Sequence, residues 1–490
     1  NRHLVNKLPY PDWLEVCDGT VRFLKPQEDV YPGWRCQDVM DLGDRLGREW
    51  VDGRTVTPQE VEKSVLNYIG TRRAALWRAV HENQHGLPLG KVEAFVKVDS
   101  YSKEDAETKP PRLIQYRGPR VNQQLNPWLR PAEELLLHGP GLGRTRRPNC
   151  SKGMSPAERA ETLLEMFYAF DDPVAVCMDY SAFDSTQFSH VLRREHKLWM
   201  ALCPGIAIEL LLMQLKNRGR TKNGIRYRAA GTRMSGDRTT GGGNSVSNVL
   251  NFFTVCRMLG IDADILVDGD DSVAFMSRRD AERFVKWAPK IIGKVFGMIL
   301  KEISIVEHPD DLHYCQHKIV QTEAGPAVFR DPERVLTRFA WTPKGVRGTE
   351  AVDLLAAKAV GEMLLHSHIP SMANGFKNIL TRIRKHMHAE IRSETALAYL
   401  RDMRFRTGLK VREGSLDWVD QWEPHRDAYA EAELCRVYNL DPGFLQEFER
   451  KSKTCPFPSW RVVAPKARKK PIVTHPQHYC DMCDRSGMTL

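Results

Sequence analysis

The sequence predicts an α+β chain built from several lobes. Three observations carry that expectation: an apolar run of strand length, Pro173–Met178, that stops at Asp179; two short apolar runs joined by an acidic glycine turn over Ile265–Phe275; and a C-terminal third whose apolar residues recur at helical spacing. At 490 residues the chain exceeds what one hydrophobic core usually supports, so two to four subdomains are expected. Hydrophobic residues are 42% and charged residues 27%, enough to bury a substantial core and too apolar for a mainly disordered chain. A small binding module is excluded.

Lys and Arg number 72 against 62 Asp and Glu, a net charge of +10 that favours a polyanionic partner, nucleic acid first and a membrane surface second. No run approaches the roughly 18 apolar residues of a membrane-spanning helix. The eleven cysteines are scattered, with no secretory segment at the start, and read as reduced thiols in a cytosolic compartment. The chain opens at Asn1 rather than Met, so it is expected to be the downstream part of a longer product.

Residues 1 to about 170 alternate short apolar runs with Pro, Gly and basic residues, and read as loop-rich with few long helices. Ser155-Pro156-Ala157-Glu158 combines an N-cap serine, a proline at the first helical position and a glutamate at the third, so a helix runs from there towards Phe170. The β-branched run Pro173–Met178 follows as a strand, then the acids Asp179 and Asp184, then a helical segment from Gln187 to Cys203. Ser235–Asn244 is rich in glycine and hydroxyls and reads as a loop, leading into a helix over Ser245–Leu259 that Gly260 closes. Asn244 then falls at or near a helix N-terminus. Ile265-Leu266-Val267 and Ser272-Val273-Ala274-Phe275 form a hairpin with Asp268, Asp270 and Asp271 at its tip. Beyond 345, the windows 351–365, 394–403 and 427–438 read as helices.

Each motif alone has an ordinary reading; a Gly-Asp-Asp triplet arises by accident in about one chain in ten of this length. Their order is what carries weight. A strand-end acid, a hydroxyl-rich glycine loop before a helix, and an acid pair on a hairpin suit two-metal phosphoryl transfer, in which carboxylates on rigid neighbouring elements hold two divalent cations. Asp179 and Asp270 fit that task, provided the fold brings them together.

Asp179–Asp184, Ser235–Asn244 and Gly269-Asp270-Asp271 resemble motifs A, B and C of viral RNA-dependent RNA polymerases, with Met234-Ser235-Gly236-Asp237 most similar to the tombusvirus-like group of positive-strand RNA viruses. Phe95-Val96-Lys97 and Pro111–Arg120 are similar to motif F, Phe296–Lys301 to motif D and His313–Gln316 to motif E. The resemblance implies a right hand: fingers over 1–170 with 205–233 inserted, an antiparallel-sheet palm over 171–204 and 234–330, a mainly helical thumb over 331–460, and a basic tail over 461–490. It implies that Asp179 and Asp270, assisted by Asp271, coordinate Mg²⁺, with Mn²⁺ as a substitute. Asp184, Thr240 and Asn244 would sense the ribose 2′-hydroxyl, Ser235 and Gly236 would shape the template-side loop, and Lys97, Arg112 and Arg117 would contact the triphosphate. Lys301 would be the general acid for the leaving pyrophosphate. The implied partners are an RNA template and product, NTPs, other viral replication proteins and, through an upstream segment, host membranes at cytoplasmic replication sites. The implied activity is template-directed RNA synthesis replicating a viral genome; a non-enzymatic RNA-binding protein is the alternative, and a reverse transcriptase, whose second motif lacks this loop, a remoter one.

In the tail, His475, His478, Cys480 and Cys483 put four candidate zinc ligands after the basic stretch 466–470, but too compactly for the usual paired spacing, so a basic tail touching RNA is favoured over zinc. Arg144, Arg146 and Arg147, and Arg382, Arg384 and Lys385, are candidate phosphate-contacting patches.

Overall fold

A computed structural model of the chain describes residues 14–17, 20–23, 29–66, 68, 70–81, 90–97, 107, 111–340, 342, 346–385, 390–407, 414–441 and 443–454. The tail 461–490, with its four candidate zinc ligands, lies outside the described residues. The chain divides into two units, one drawing on 1–150 and 169–305, the other on 151–168 and 306–466. Helices and largely antiparallel sheets are mixed, as an α+β chain requires.

In the first unit, α1 (Cys36–Val51) buries Val39, Leu42, Leu46 and Trp50 along one face. β1 (Val92–Val96) and β2 (Leu113–Arg117) pair antiparallel and are followed by α2 (Pro119–Leu137), which starts with proline at its first position. These long helices correct the expectation of a loop-rich N-terminal stretch. The internal Pro127 and Pro131 of α2 were the misleading signal. Pro131 cannot donate to the carbonyl of Pro127, and that carbonyl instead accepts the backbone N–H of Gln59 at 2.9 Å, so the lost helical bond is replaced from outside.

Next come β3 (Pro173–Tyr180), α3 (Ser189–Leu202), the hairpin β4 (Lys216–Thr221) and β5 (Arg226–Ala230), α4 (Thr240–Leu259), the hairpin β6 (Asp264–Asp268) and β7 (Asp271–Ser277), α5 (Arg278–Ile291) and β8 (Leu300–Val306). Two four-stranded sheets result, ordered β6–β7–β3–β8 and β2–β1–β4–β5. The centre of the first is buried on both faces: Val174, Ala175, Val176, Val273, Ala274 and Phe275 are at most 1% exposed. That explains why its strands read as continuous apolar runs rather than alternating ones. α4 packs on β6, and α5 on β3 and β7, with the rings of Phe252 and Phe284 5.3 Å apart. Burying each such ring contributes roughly 1.5–3 kcal/mol.

α4 begins at Thr240, five residues before the expected start, which corrects the reading of 240–244 as loop. Gly242 and Gly243 weaken helix by intrinsic propensity, but a Cβ at either would lie 2.3 Å from a carboxylate oxygen of Glu133 or Glu195. Close tertiary approach, not chain flexibility, is what selects glycine there. Gly260 caps the helix in the left-handed conformation as expected.

In the second unit, helix Pro156–Tyr168 opens with a capping box: the Ser155 N–H donates to Glu158 Oε2 at 2.7 Å, and the Glu158 N–H to Ser155 Oγ at 3.2 Å. It packs on a hairpin of β9 (His317–Thr322) and β10 (Gly325–Arg330). Helices Gly348–Leu365, Pro370–Arg384, Glu394–Thr407, Ala428–Tyr438 and Gly443–Thr454 supply the rest, around Leu355, Met363, Phe376, Ile379 and Leu434. The three expected helical windows fall on these elements; only Asp427 lies outside, as an N-cap accepting the Ala430 N–H at 2.8 Å. Among the described residues no helix is long and apolar enough to cross a membrane.

Candidate active site

Asp268 and Asp271 pair across a two-residue turn, Gly269–Asp270. Gly269 takes φ 73°, the left-handed value such hairpin turns ask of their first central residue and one that glycine adopts without steric cost. β7 runs antiparallel to β3 from Ser277↔Pro173 to Ser272↔Met178, and one further step of that register sets Asp179 against Asp271. The strand-end acid and the hairpin tip, 91 positions apart in sequence, are therefore neighbours.

Their electrostatics agree. Partial desolvation at the crowded turn raises the Asp270 pKa above the usual carboxylate value although the residue stays exposed, and the charges of Asp184 and Asp179 push the same way, while its own backbone N–H and Arg112 pull it down. Burial likewise raises Asp184, against the opposing effects of a hydrogen bond from Asn244 and the charges of Arg233 and Arg112. Lys301 Nζ lies 3.3 Å from Asp179 Oδ2, both side chains more than half exposed. β3 is tied to the segment before β8 by the Ser181 N–H to the Ile299 carbonyl at 2.9 Å, which brings the lysine within reach.

α4 holds the site from behind. Asn244 Nδ2 donates to Asp184 Oδ1 at 2.7 Å, and Asn244 Oδ1 accepts from Arg233 Nε at 3.0 Å, which fixes which end of the amide faces the acid. Arg233 is itself locked in an ion pair with Glu195, both side chains fully buried, and Glu195 Oε1 accepts the Trp199 indole N–H at 2.7 Å. Next to it, Ser245 Oγ accepts the Gly269 N–H at 3.0 Å, and one turn along Asn248 Nδ2 donates to the carbonyls of Gly269 at 3.2 Å and Asp270 at 3.4 Å. Sequence reasoning missed Arg233, Glu195, Ser245 and Asn248. A signal was present: Asn244, Ser245, Ser247, Asn248 and Asn251 crowd a helix whose other residues are mostly apolar and buried, where polar groups need partners.

The predicted basic residues separate. Arg112 is exposed, and its charge reaches both Asp184 and Asp270. Lys97 stands beside it, its N–H donating to the Arg112 carbonyl at 2.8 Å. Arg117 does not reach the carboxylates. Its side chain is 1% exposed and pairs with Asp237, Asn217 Oδ1 and the Met213 carbonyl, so it holds the loop rather than presenting a face to phosphate. The same loop is stitched to β2 by the Gly236 N–H to the Gln115 carbonyl at 2.6 Å and the Gln115 N–H to Ser235 Oγ at 3.2 Å. Arg238 forks onto Glu133 at 2.6 and 2.7 Å. Thr240 Oγ1 donates to the Met234 carbonyl at 2.8 Å. Of the two basic patches, Arg144 meets Asp262 at 3.3 Å and Arg384 meets Asp420 at 2.8 Å.

Asp184 and Asp270, carboxylates raised by desolvation, stand with Asp179 as oxygen donors of the kind a hard divalent cation takes. Among the described residues no three His, Cys, Asp or Glu side chains close into a metal cage.

A family model described as viral RNA dependent RNA polymerase matches residues 27–416, and the chain belongs to that family. It is similar to the RNA-directed RNA polymerase of Pothos latent virus (isolate Pigeonpea/India), 31% identical over 348 residues, 69% of this chain and 46% of the relative. The RNA-directed RNA polymerase of Tomato bushy stunt virus (strain Cherry) is 30% identical over 290 residues, 57% of this chain and 35% of the relative. That of Tobacco necrosis virus (strain D) is 26% identical over 371 residues, 72% and 50%. The chain thus spans half or less of the length of these relatives.

Proposed function

We propose that this chain is the catalytic core of a template-directed RNA polymerase that joins NTPs on an RNA template. The supporting observation is the convergence of Asp179, Asp270 and Asp184 at one end of a buried sheet, under the reach of Arg112. In this reading the fingers are 1–170 with 205–233, the palm 171–204 and 234–330, the thumb 331–460, and the tail a basic RNA-touching segment.

Asp179 and Asp270, with Asp271 beside them, would hold Mg²⁺ or Mn²⁺. When bound, such cations lower the pKa of an attacking hydroxyl and stabilise the leaving oxygens. The chain's own residues do the rest. The rigid strand and the clamped turn keep the carboxylates in fixed relation, so little reorganisation is needed at reaction. Arg112 and Lys97 neutralise triphosphate charge, arginine through its planar fork. Asn244 and Asp184 present a polar pair to the sugar; a deoxyribose would leave it unpaired, which disfavours dNTPs. Lys301, whose ammonium lies beside Asp179, would be placed to hand a proton to the leaving pyrophosphate. Arg117 acts one step back, positioning the Ser235–Arg238 loop. A purely RNA-binding role would leave the acid cluster idle.

The test is RNA synthesis on a defined template with Mg²⁺. Asp270→Ala should reduce incorporation by about three orders of magnitude or more while RNA binding is retained. Undiminished synthesis would remove the reading.

A further inference from the structure

Away from the carboxylates, one face of the second sheet concentrates positive charge. In the β4–β5 hairpin Arg218 stands opposite Arg228, and Arg220 opposite Arg226. All four are exposed, as are Lys216 and Lys222 beside them, and none forms an ion pair with a described acid. Asn217 and Gly219, which alternate with them, are buried on the opposite face. Like charges directly across a strand pair destabilise a sheet, so two consecutive arginine pairs with Glu93 as the acid alongside call for a reason.

Protection of a sheet edge is one reason such charges occur, and β5 is an edge strand. That accounts for Arg226 and Arg228 only. Arg218 and Arg220 sit on β4, which is paired on both sides, where no edge needs protecting. The rest of the face points elsewhere. Arg220 aligns with Glu93 on β1, whose carboxylate accepts the Tyr116 hydroxyl at 2.6 Å. Phe95, 47% exposed, meets Tyr116 edge-on at 5.8 Å. Strand alternation from Tyr116 through Ile114 puts Arg112 at the end of the same face.

We propose that this face is a platform for single-stranded RNA, the arginine ladder gripping successive phosphates and Phe95 offering its ring to a base. Alternate residues of a strand lie roughly 6.5–7 Å apart and neighbouring strands about 4.8 Å, so the four guanidinium groups can follow one flexible phosphate chain. Arginine forks suit phosphate better than lysine point charges, and a basic track beside exposed aromatic rings is how strands are held without sequence preference. Only the identity of the polyanion as RNA rests on the polymerase reading.

The test uses the full chain, with Arg218, Arg220, Arg226 and Arg228 all changed to glutamine, and the two cross-strand pairs changed separately. Affinity for a labelled uridine oligonucleotide of about twenty nucleotides is followed by anisotropy across a salt series. The fourfold variant should bind at least about tenfold more weakly, its log–log salt slope reduced by roughly 3, each double variant by about half of that. The melting midpoint should hold or rise, since like-charge pairs are removed. Unchanged affinity and slope would overturn the proposal. So would loss of binding to phosphatidylserine vesicles with RNA affinity intact, which would make the face a membrane surface. Asp270→Asn is run alongside: if it still synthesises RNA the polymerase reading fails, while the binding series judges the platform alone.

Discussion

Asn244 is one residue whose orientation is dictated from outside the site. Arg233 claims its oxygen, so its NH₂ must face Asp184, and Glu195 holds Arg233 in place. Asn244→Ala should therefore relax ribose selection, lowering the rNTP-to-dNTP ratio of kcat/KM by about 10- to 100-fold, the worth of one or two charge-assisted hydrogen bonds. Arg233→Met should do the same and also cost about 3–5 kcal/mol of stability, because Glu195 is left charged and buried without a partner. A ratio that stays fixed in both variants would show that the amide does not read the sugar. Asp179, Asp184, Asp270 and Asn244 were legible in the sequence because their spacing around apolar runs is local. The place of Arg117 was hidden for the opposite reason. Nothing in Tyr116-Arg117-Gly118 says that Asp237 and Asn217, 120 and 100 positions away, bury its guanidinium.

At the level of elements, the hairpin tip depends on α4. Ser245 and Asn248, one helical turn apart, hold the backbone of Gly269 and Asp270, and no carboxylate of the turn is involved in that grip. Replacing both by alanine removes about 1–3 kcal/mol of hydrogen bonding and frees the turn to move. The Mg²⁺ concentration for half-maximal synthesis should rise severalfold with oligonucleotide affinity unchanged; an unaltered Mg²⁺ dependence would mean that the turn holds itself. Hairpin, strand and C-terminal helices were readable because period and punctuation agreed. α2 and the start of α4 were not, since Pro131 and the glycines at 242 and 243 carry a local message that the Gln59 N–H and the approach of Glu133 and Glu195 override.

Across the first unit, buried titratable groups set how stability responds to acid. Burial depresses His190 to about 3 and His196 to about 4, below their unfolded value of 6.5, so the native state binds fewer protons and loses stability as pH falls below 6.5. Asp264 works the other way. Burial raises it to about 6 from 3.8, so it gains stability as pH falls through that window. Asp184, Asp237 and Asp270, also raised by desolvation, act in the same direction as Asp264, so the histidine contribution is read by difference between variant and parent. The urea midpoint of His196→Gln, taken relative to that of the parent chain, should rise as pH falls from 6.5 towards 4; a difference independent of pH would contradict the assigned burial. The division of the chain into two units could be anticipated from length, but not where its boundaries run, because helix Pro156–Tyr168 packs with the hairpin of 317–330 rather than with its sequence neighbours.

In the proposed function Asp179 and Asp270 grip common divalent ions. Electron paramagnetic resonance of Mn²⁺ bound to the purified chain with template RNA and a non-hydrolysable NTP measures this directly. A pair of exchange-coupled ions, lost in both Asp179→Asn and Asp270→Asn, is the predicted result. Isolated ions only, or a coupled pair that survives either substitution, would contradict it.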